Sequence, residues 1–315
     1  MGVCMYKTAF LFPGQGAQYV GMAKDFYEQV EESKEVFERA NKVLDFDVIK
    51  MCFEENEELN QTEYTQAAMV TACVSILEAV KKKGMKADIT AGLSLGEYAA
   101  LVANDVLSFE DAVTLVRKRG IYMSNEVPNG EGSMAAILGL DVETIERICK
   151  EVEAETNMCV QPANYNCPGQ IVISGKKEAV LAACDKLKEA GAKRALELNV
   201  SGPFHSALLK GAGDKLGVEL NNVTVNPMTI PYVCNAKAEI VTDVAQTKEL
   251  LEKQVYSPVC WQQTMELMIA NGVSTFIEIG PGKTLSGFLK KINKTVTVIN
   301  IEKIEDLEKL EGIVC

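Results

Sequence analysis

Strands alternating with helices at both ends of the chain, interrupted by one stretch ordered β-α-β-β-α-β, predict an α/β protein in two parts. The expected large domain, residues 1–128 and 201–315, is built on a mainly parallel sheet; a small ferredoxin-like domain, residues 129–200, is inserted into it. A third observation is a serine between two glycines, Gly92-Leu93-Ser94-Leu95-Gly96, where an apolar strand turns into a helix. It makes the large part α/β-hydrolase-like.

Taken in order, "TAFLF" (8–12) is a buried strand that stops at Pro13-Gly14. Helical periodicity runs over residues 22–44 and again over 65–83, where Gly84 ends it. "ITAGL" (89–93) is a short strand, and helices follow from Leu95 and over 110–125. After the turn-rich "VPNGEG" (127–132) come the strand "MAAILGL" and the helix "VETIERICKEVEAE". The strands "CVQPANY" and "QIVISG" are joined by a turn at Asn166-Cys167-Pro168-Gly169. The helix "KEAVLAACDKLKEAG" and the strand "KRALELNV" complete the inserted unit. Beyond Ser201 strands are expected near "IPYVCN", "STFIEIG" and "TVTVIN", with a cleft between the two domains.

Composition narrows the function. With 315 residues, 47% of them hydrophobic and 24% charged, the chain has the balance of a soluble globular protein. A net charge of −12 argues against nucleic acid as partner, because binding it needs a basic face to displace counterions. Ten cysteines are present but none is spaced C-x-x-C, so scattered thiols in a reducing cytoplasm are expected rather than zinc or redox motifs. The N-terminus lacks a signal-peptide pattern, and "AAMVTACVSILEAV" is too short to span a bilayer and carries Glu78. No membrane partner, metal or bound cofactor is expected.

A strand-turn-helix elbow lifts a serine Oγ above a sheet, and glycines two residues to either side make room for it. The helix behind it aims backbone N–H groups at the place where an oxyanion would form. No other serine in the chain stands in a G-x-S-x-G pattern. A serine nucleophile needs a base, and the chain holds one histidine, His205, in "NVSGPFHSALL". A third, acidic member cannot be picked from 44 Asp and Glu residues; a carbonyl could orient the Nδ1–H equally well. "FPGQGAQYVG" falls short of a dinucleotide fingerprint because Tyr19 replaces its third glycine, and "IGPGKT" falls short of a phosphate loop because Ile277 replaces its first. The first is read as a turn offering backbone N–H groups beside the elbow, the second as a tight turn before a helix.

"FPGQGAQ", "GLSLGEY", "VRKRGIYM", "ANYNCPGQIVISG", "GPFHSALL", "QVYSPVCW" and "IGPGKTLSGF" occur in this order. Together they resemble the malonyl-CoA:acyl-carrier-protein transacylases of fatty-acid synthesis, relatives of the acyltransferase domains of polyketide synthases. The resemblance runs from about Lys7 to about Asn300. It implies Ser94 as nucleophile and His205 as general base in a ping-pong transfer of malonyl from malonyl-CoA to the phosphopantetheine thiol of an acyl carrier protein. It implies an oxyanion hole of the Gln15 and Leu95 N–H groups, and Arg119 as partner of the malonyl carboxylate, a role suited to a planar guanidinium. It gives the Gln254 carbonyl the task of orienting His205, and places Met123, Asn164 and Phe204 in the substrate pocket. Phe204 implies malonyl rather than methylmalonyl. CoA is a substrate here, not a cofactor, and the family implies a monomer.

The family usually reads G-H-S-L-G, whereas this chain has Leu93 before the nucleophile. Its carrier proteins are acidic, so docking is expected at a local basic cluster, Lys81 to Lys83 or Lys290, Lys291 and Lys294. Three rivals share parts of this reading: a trans-acting acyltransferase of a polyketide synthase, a serine acyl hydrolase, and a binding module with an inert serine. A hydrolase of neutral acyl groups has no use for the cation at Arg119, and a binding module would lose no activity on Ser94→Ala.

Overall fold

The computed structural model describes residues 6–313. Cys4, Cys315 and the first residues of the N-terminal reading lie outside this range. The chain is a mixed α/β protein with one mostly parallel sheet and a second, antiparallel one.

The first sheet begins with β1 (Thr8–Phe12), whose five residues are all buried. Phe10 and Phe12 enter one apolar cluster, while Ala9 and Leu11 enter another on the opposite face, as the two-residue period of a strand requires. The expected helix over 22–44 is instead two, α1 (Lys24–Gln29) and α2 (Glu31–Val43). Val30 is extended between them, at φ −126° and ψ 114°; a one-residue break leaves the apolar face nearly continuous, which is why periodicity ran across it. α3 (Val48–Phe53), which no sequence signal singled out, starts on the side-chain cap of Asp47. α4 (Thr62–Lys82) is buried on almost every side. β2 (Ile89–Gly92) leads through Leu93, Ser94 and Leu95 into α5 (Gly96–Ala103), and α6 (Phe109–Asn125) starts at the Ser108 cap.

The second sheet holds β3 (Gly132–Leu138), β4 (Val160–Cys167), β5 (Gln170–Lys176) and β6 (Arg194–Glu197), with α7 (Val142–Thr156) and α8 (Lys177–Glu189) between them in the expected order. All its pairings are antiparallel, in the order β4-β5-β3-β6. Ala135 and Ile137 of β3 pack with Ile145 and Ile148 of α7 in a cluster of their own. The alternate residues Met134 and Ala136 face the cavity described below.

The chain then returns through α9 (Lys210–Asn221), β7 (Tyr232–Cys234), β8 (Glu239–Val241), α10 (Thr247–Gln254), α11 (Trp261–Ala270), β9 (Thr275–Ile279), α12 (Thr284–Ile292) and β10 (Thr297–Ile301). The first sheet runs β10-β9-β1-β2-β7-β8, parallel except for β8 at its edge. β2 and β7 lie on one side of β1, β9 and β10 on the other, so the order reverses at β1. Open α/β sheets take ligands just beyond the carboxyl ends of their strands at such a point. The loops after β1, β2 and β7 all meet there.

Candidate active site

The elbow is built by close approach. A Cβ on Gly92 would lie 1.9 Å from the Gly96 carbonyl carbon, and one on Gly96 would lie 2.2 Å from the Phe12 carbonyl oxygen. Only hydrogen fits at either position, and the tight turn that results holds Ser94 at φ +52°. His205 sits at φ +58°, also left-handed. A 3-10 turn at Ala207–Leu209 separates His205 from α9. Both residues are non-glycines in a region that costs an L-residue about 1–2 kcal/mol, and the surrounding contacts hold them there.

Ser94 Oγ lies 2.7 Å from His205 Nε2. His205 Nδ1 lies 2.8 Å from the Gln254 carbonyl oxygen. That oxygen only accepts, so Nδ1 carries the hydrogen and Nε2 is free to accept from the serine hydroxyl. Burial pushes the His205 pKa down to about 4, and the nearby Arg119 cation adds to the shift. The imidazole is therefore neutral, the form in which it can take a proton.

Arg119 is buried, 1% exposed, on α6. Its Nη1 donates to Gln66 Oε1 at 2.8 Å, and its Nη2 donates to Gln254 Oε1 at 3.0 Å and to Ser94 Oγ at 3.1 Å. Burial pushes the guanidinium pKa below its ordinary value. Its Nε–H has no partner among the described residues. Arg117 points away, as two residues' spacing on a helix requires: it pairs with Asp45 at 2.8 Å and lies over the rings of Phe46 and Tyr64.

A cavity of about 280 Å³ opens onto Ser94. Gln15, Leu95, Arg119, Met123, Asn164, Phe204 and His205 all line it, so of the expected site residues only Gln254 stands behind the wall. The backbone N–H groups of Gln15 and Leu95 donate to no acceptor among the described residues. The Gln15 loop is pinned by a side-chain bond of 2.9 Å to Thr62, which also bonds Ser201. Asn164 is brought in by a bridge from β4 to Val259, with Val259 N–H donating to Ala163 O at 2.8 Å. Leu93 stands at the cavity wall with Leu285 and Phe288 of α12, in the same apolar cluster.

Four contributions escaped the sequence reading: Gln66, Glu97, Asn235 and the side chain of Gln254. Asn235 Oδ1 accepts from Ser94 N–H at 2.5 Å, and its Nδ2 donates to Gly92 O at 2.7 Å, clasping the elbow from the end of β7. Gln254 Nε2 donates to the Ser94 carbonyl oxygen at 2.9 Å. Gln66 had one visible signal, a polar residue at the start of the apolar run "QAAMVTACV".

Comparison with known proteins gives the same direction. A model of the acyl transferase domain matches residues 9–307. The malonyl CoA-acyl carrier protein transacylase of Bacillus subtilis is 48% identical over 305 residues, covering 96% of this chain and 96% of that protein. Its Staphylococcus aureus counterpart is 46% identical, over 96% and 98%. The crystal structure of the Clostridium perfringens transacylase superposes with a TM-score of 0.93 at 48% identity, covering 96% of this chain and 95% of that one. A malonyl-transacylase solved in complex with a type II PKS acyl-carrier protein gives a TM-score of 0.93 at 42% identity, over 96% and 98%. Taken with the Ser94–His205 pair and the buried arginine beside it, these likenesses show that the chain belongs to the acyl transferase family, among the malonyl-CoA:acyl-carrier-protein transacylases.

Proposed function

We propose that the chain transfers a malonyl group from malonyl-CoA to the phosphopantetheine thiol of an acyl carrier protein, through an ester on Ser94, as a step of fatty-acid biosynthesis. The observation that carries this reading is Arg119, a buried guanidinium 3.1 Å from the nucleophile. Its partnerless Nε–H is a costly buried donor, and an acyl group ending in a carboxylate supplies the acceptor.

His205 Nε2 takes the Ser94 proton as Oγ attacks the thioester carbon. The oxyanion is met by the Leu95 and Gln15 N–H groups. As the tetrahedral intermediate collapses, the C–S bond breaks and CoA leaves with the proton from His205. The carrier thiol then gives its proton to His205, attacks the ester, and releases Ser94, which takes the proton back. Met123, Asn164 and Phe204 shape the acyl pocket, and Phe204 leaves little room for an α-methyl.

We read the second sheet with α7 and α8 as the ferredoxin-like domain, residues 129–200, and residues 1–128 with 201–315 as an α/β-hydrolase-like catalytic domain. The order β4-β5-β3-β6 supports the first reading, the elbow after β2 the second. Carrier docking belongs at the C-terminal end of α12, whose Leu285 and Phe288 line the cavity and whose Lys291 donates to Gln170 at its rim. The rival cluster is engaged elsewhere, Lys81 with Glu78 and Lys82 with Glu32. We place the enzyme in the cytoplasm, as a monomer that uses no metal or bound cofactor.

The test is the intact mass of the protein after brief exposure to malonyl-CoA, beside acetyl-CoA and a Ser94→Ala control. A malonyl increment on Ser94 that added carrier protein removes supports the transfer. Release of free malonate with no adduct would point to a hydrolase, and equal acylation by acetyl-CoA would remove the role given to Arg119.

A further inference from the structure

One buried carboxylate in this cluster has no task in the chemistry above. Glu97 is 0% exposed, in the first turn of α5, three residues beyond Ser94. Its Oε2 accepts from the Asn235 N–H at 3.1 Å and from Gln254 Nε2 at 2.8 Å, while Oε1 has no partner among the described residues. Removing a carboxylate from water is expensive, and filling this space alone would need only an apolar side chain. Burial raises the Glu97 pKa to about 7, against the opposing pull of its two donors and of Arg119.

What the carboxyl group offers that an apolar side chain does not is an acceptor at Oε2, which takes both donors whether the group is ionised or carries its proton on Oε1. Gln254 Nε2 has two hydrogens: one goes to Glu97 Oε2, the other to the Ser94 carbonyl oxygen. With both spent on acceptors, the amide oxygen has a single orientation, and it accepts from Arg119 Nη2 at 3.0 Å. Were the amide turned over, its NH₂ would face the guanidinium, donor against donor.

We propose that Glu97 is a positioning residue for malonyl transfer: it orients the Gln254 amide, which in turn holds Arg119 in the pose that receives the acyl carboxylate. Gln254 then acts twice, through its main-chain carbonyl on His205 and through its side chain on Arg119. This rests on the malonyl-transfer reading above and adds to it the part that sets acyl selectivity.

The test compares single-turnover acylation of Ser94 by malonyl-CoA and by acetyl-CoA, which carries no carboxylate for Arg119. Wild type, Glu97→Met (which removes the acceptor at similar length), Gln254→Met and the double variant are measured, each with its melting temperature. Gln254→Met keeps the carbonyl that orients His205. The malonyl-to-acetyl rate ratio is expected to fall about tenfold or more in each single variant, and no further in the double variant, because both changes act through one amide. Both rates falling together would reduce Glu97 to core packing and overturn the proposal, as would a raised or unchanged ratio. If Glu97→Met does not fold, Gln254→Met decides alone: an unchanged ratio there overturns the proposal. Failure of wild type to accept malonyl would instead strike the transfer reading itself.

Discussion

The same substitution, glycine to alanine, should have opposite effects at two positions. At Gly92 the added methyl would lie 1.9 Å from the Gly96 carbonyl carbon, 2.0 Å from its oxygen and 2.3 Å from the Glu97 nitrogen. The nearest approach falls about 1.5 Å short of ordinary contact, which begins at 3.4 Å. All three atoms are backbone of the elbow and of the first turn of α5, so no side chain can rotate aside. The turn must open, and Ser94 Oγ leaves its 2.7 Å contact with His205. Displacement of a reacting group by about 1 Å costs about 10²-fold in rate, and forced overpacking costs about 1–3 kcal/mol of stability. At Gly287, on the exposed side of α12, nothing lies within 4 Å of the added Cβ. Alanine there should stabilise the helix by up to about 1 kcal/mol and leave acylation unchanged. Rapid-quench malonylation and thermal melting of both variants are the assay. A Gly92→Ala protein that acylates within about threefold of wild type, with an unshifted melt, would refute this account of the elbow.

Arg119→Lys keeps a charge but loses the fork that reaches Gln66, Gln254 and the acyl carboxylate; kcat/KM for malonyl-CoA should fall by about 10- to 100-fold while acetyl transfer changes little. Because His205 is held near pKa 4 rather than 6.5, acylation should persist in mild acid and decline only toward about pH 4. Acetyl-CoA is the cleaner substrate for that profile, and an acid limb at 6.5 would contradict it. Glu97 has its folded pKa raised from 4.5 to about 7, so its contribution to stability is fully present below about pH 4.5 and is lost as pH rises through 7. Across that window wild type should lose about 3 kcal/mol relative to Glu97→Gln, read by denaturant melts at several pH values.

The parts of the site legible in the sequence are those with a local or compositional mark. Ser94 stands between two glycines, His205 is the chain's single histidine, and the alternation of strands and helices marks both sheets. Arg119 and the Gln254 carbonyl were reached through resemblance alone, whereas the turn that carries Gln15 was legible as a source of N–H groups and the resemblance singled out the residue; by itself Arg119 reads as a solvated helix charge, yet it is buried. Asn235 meets Ser94 across 141 residues of chain, and Gln66 meets Arg119 across 53. A polar residue's partner at that distance is decided by strand order for Asn235 and by the packing of α4 on α6 for Gln66, which no local pattern encodes. The break at Val30 escaped for the opposite reason: one extended residue leaves the periodicity almost untouched.

The cavity in front of Ser94 also governs traffic. At about 280 Å³ it lies at the small end of spaces that hold one ligand. Donor and acceptor both end in the same kind of thiol-bearing arm, and both must present it to the same serine. On the proposed mechanism, a free carrier arm in the cavity blocks the donor before Ser94 is acylated, and CoA that has not left blocks the acceptor afterwards. The free carrier protein thus inhibits acylation, and the released CoA inhibits transfer to the carrier. The flux of malonyl groups is then set by the ratio of carrier protein to CoA as much as by the amount of either.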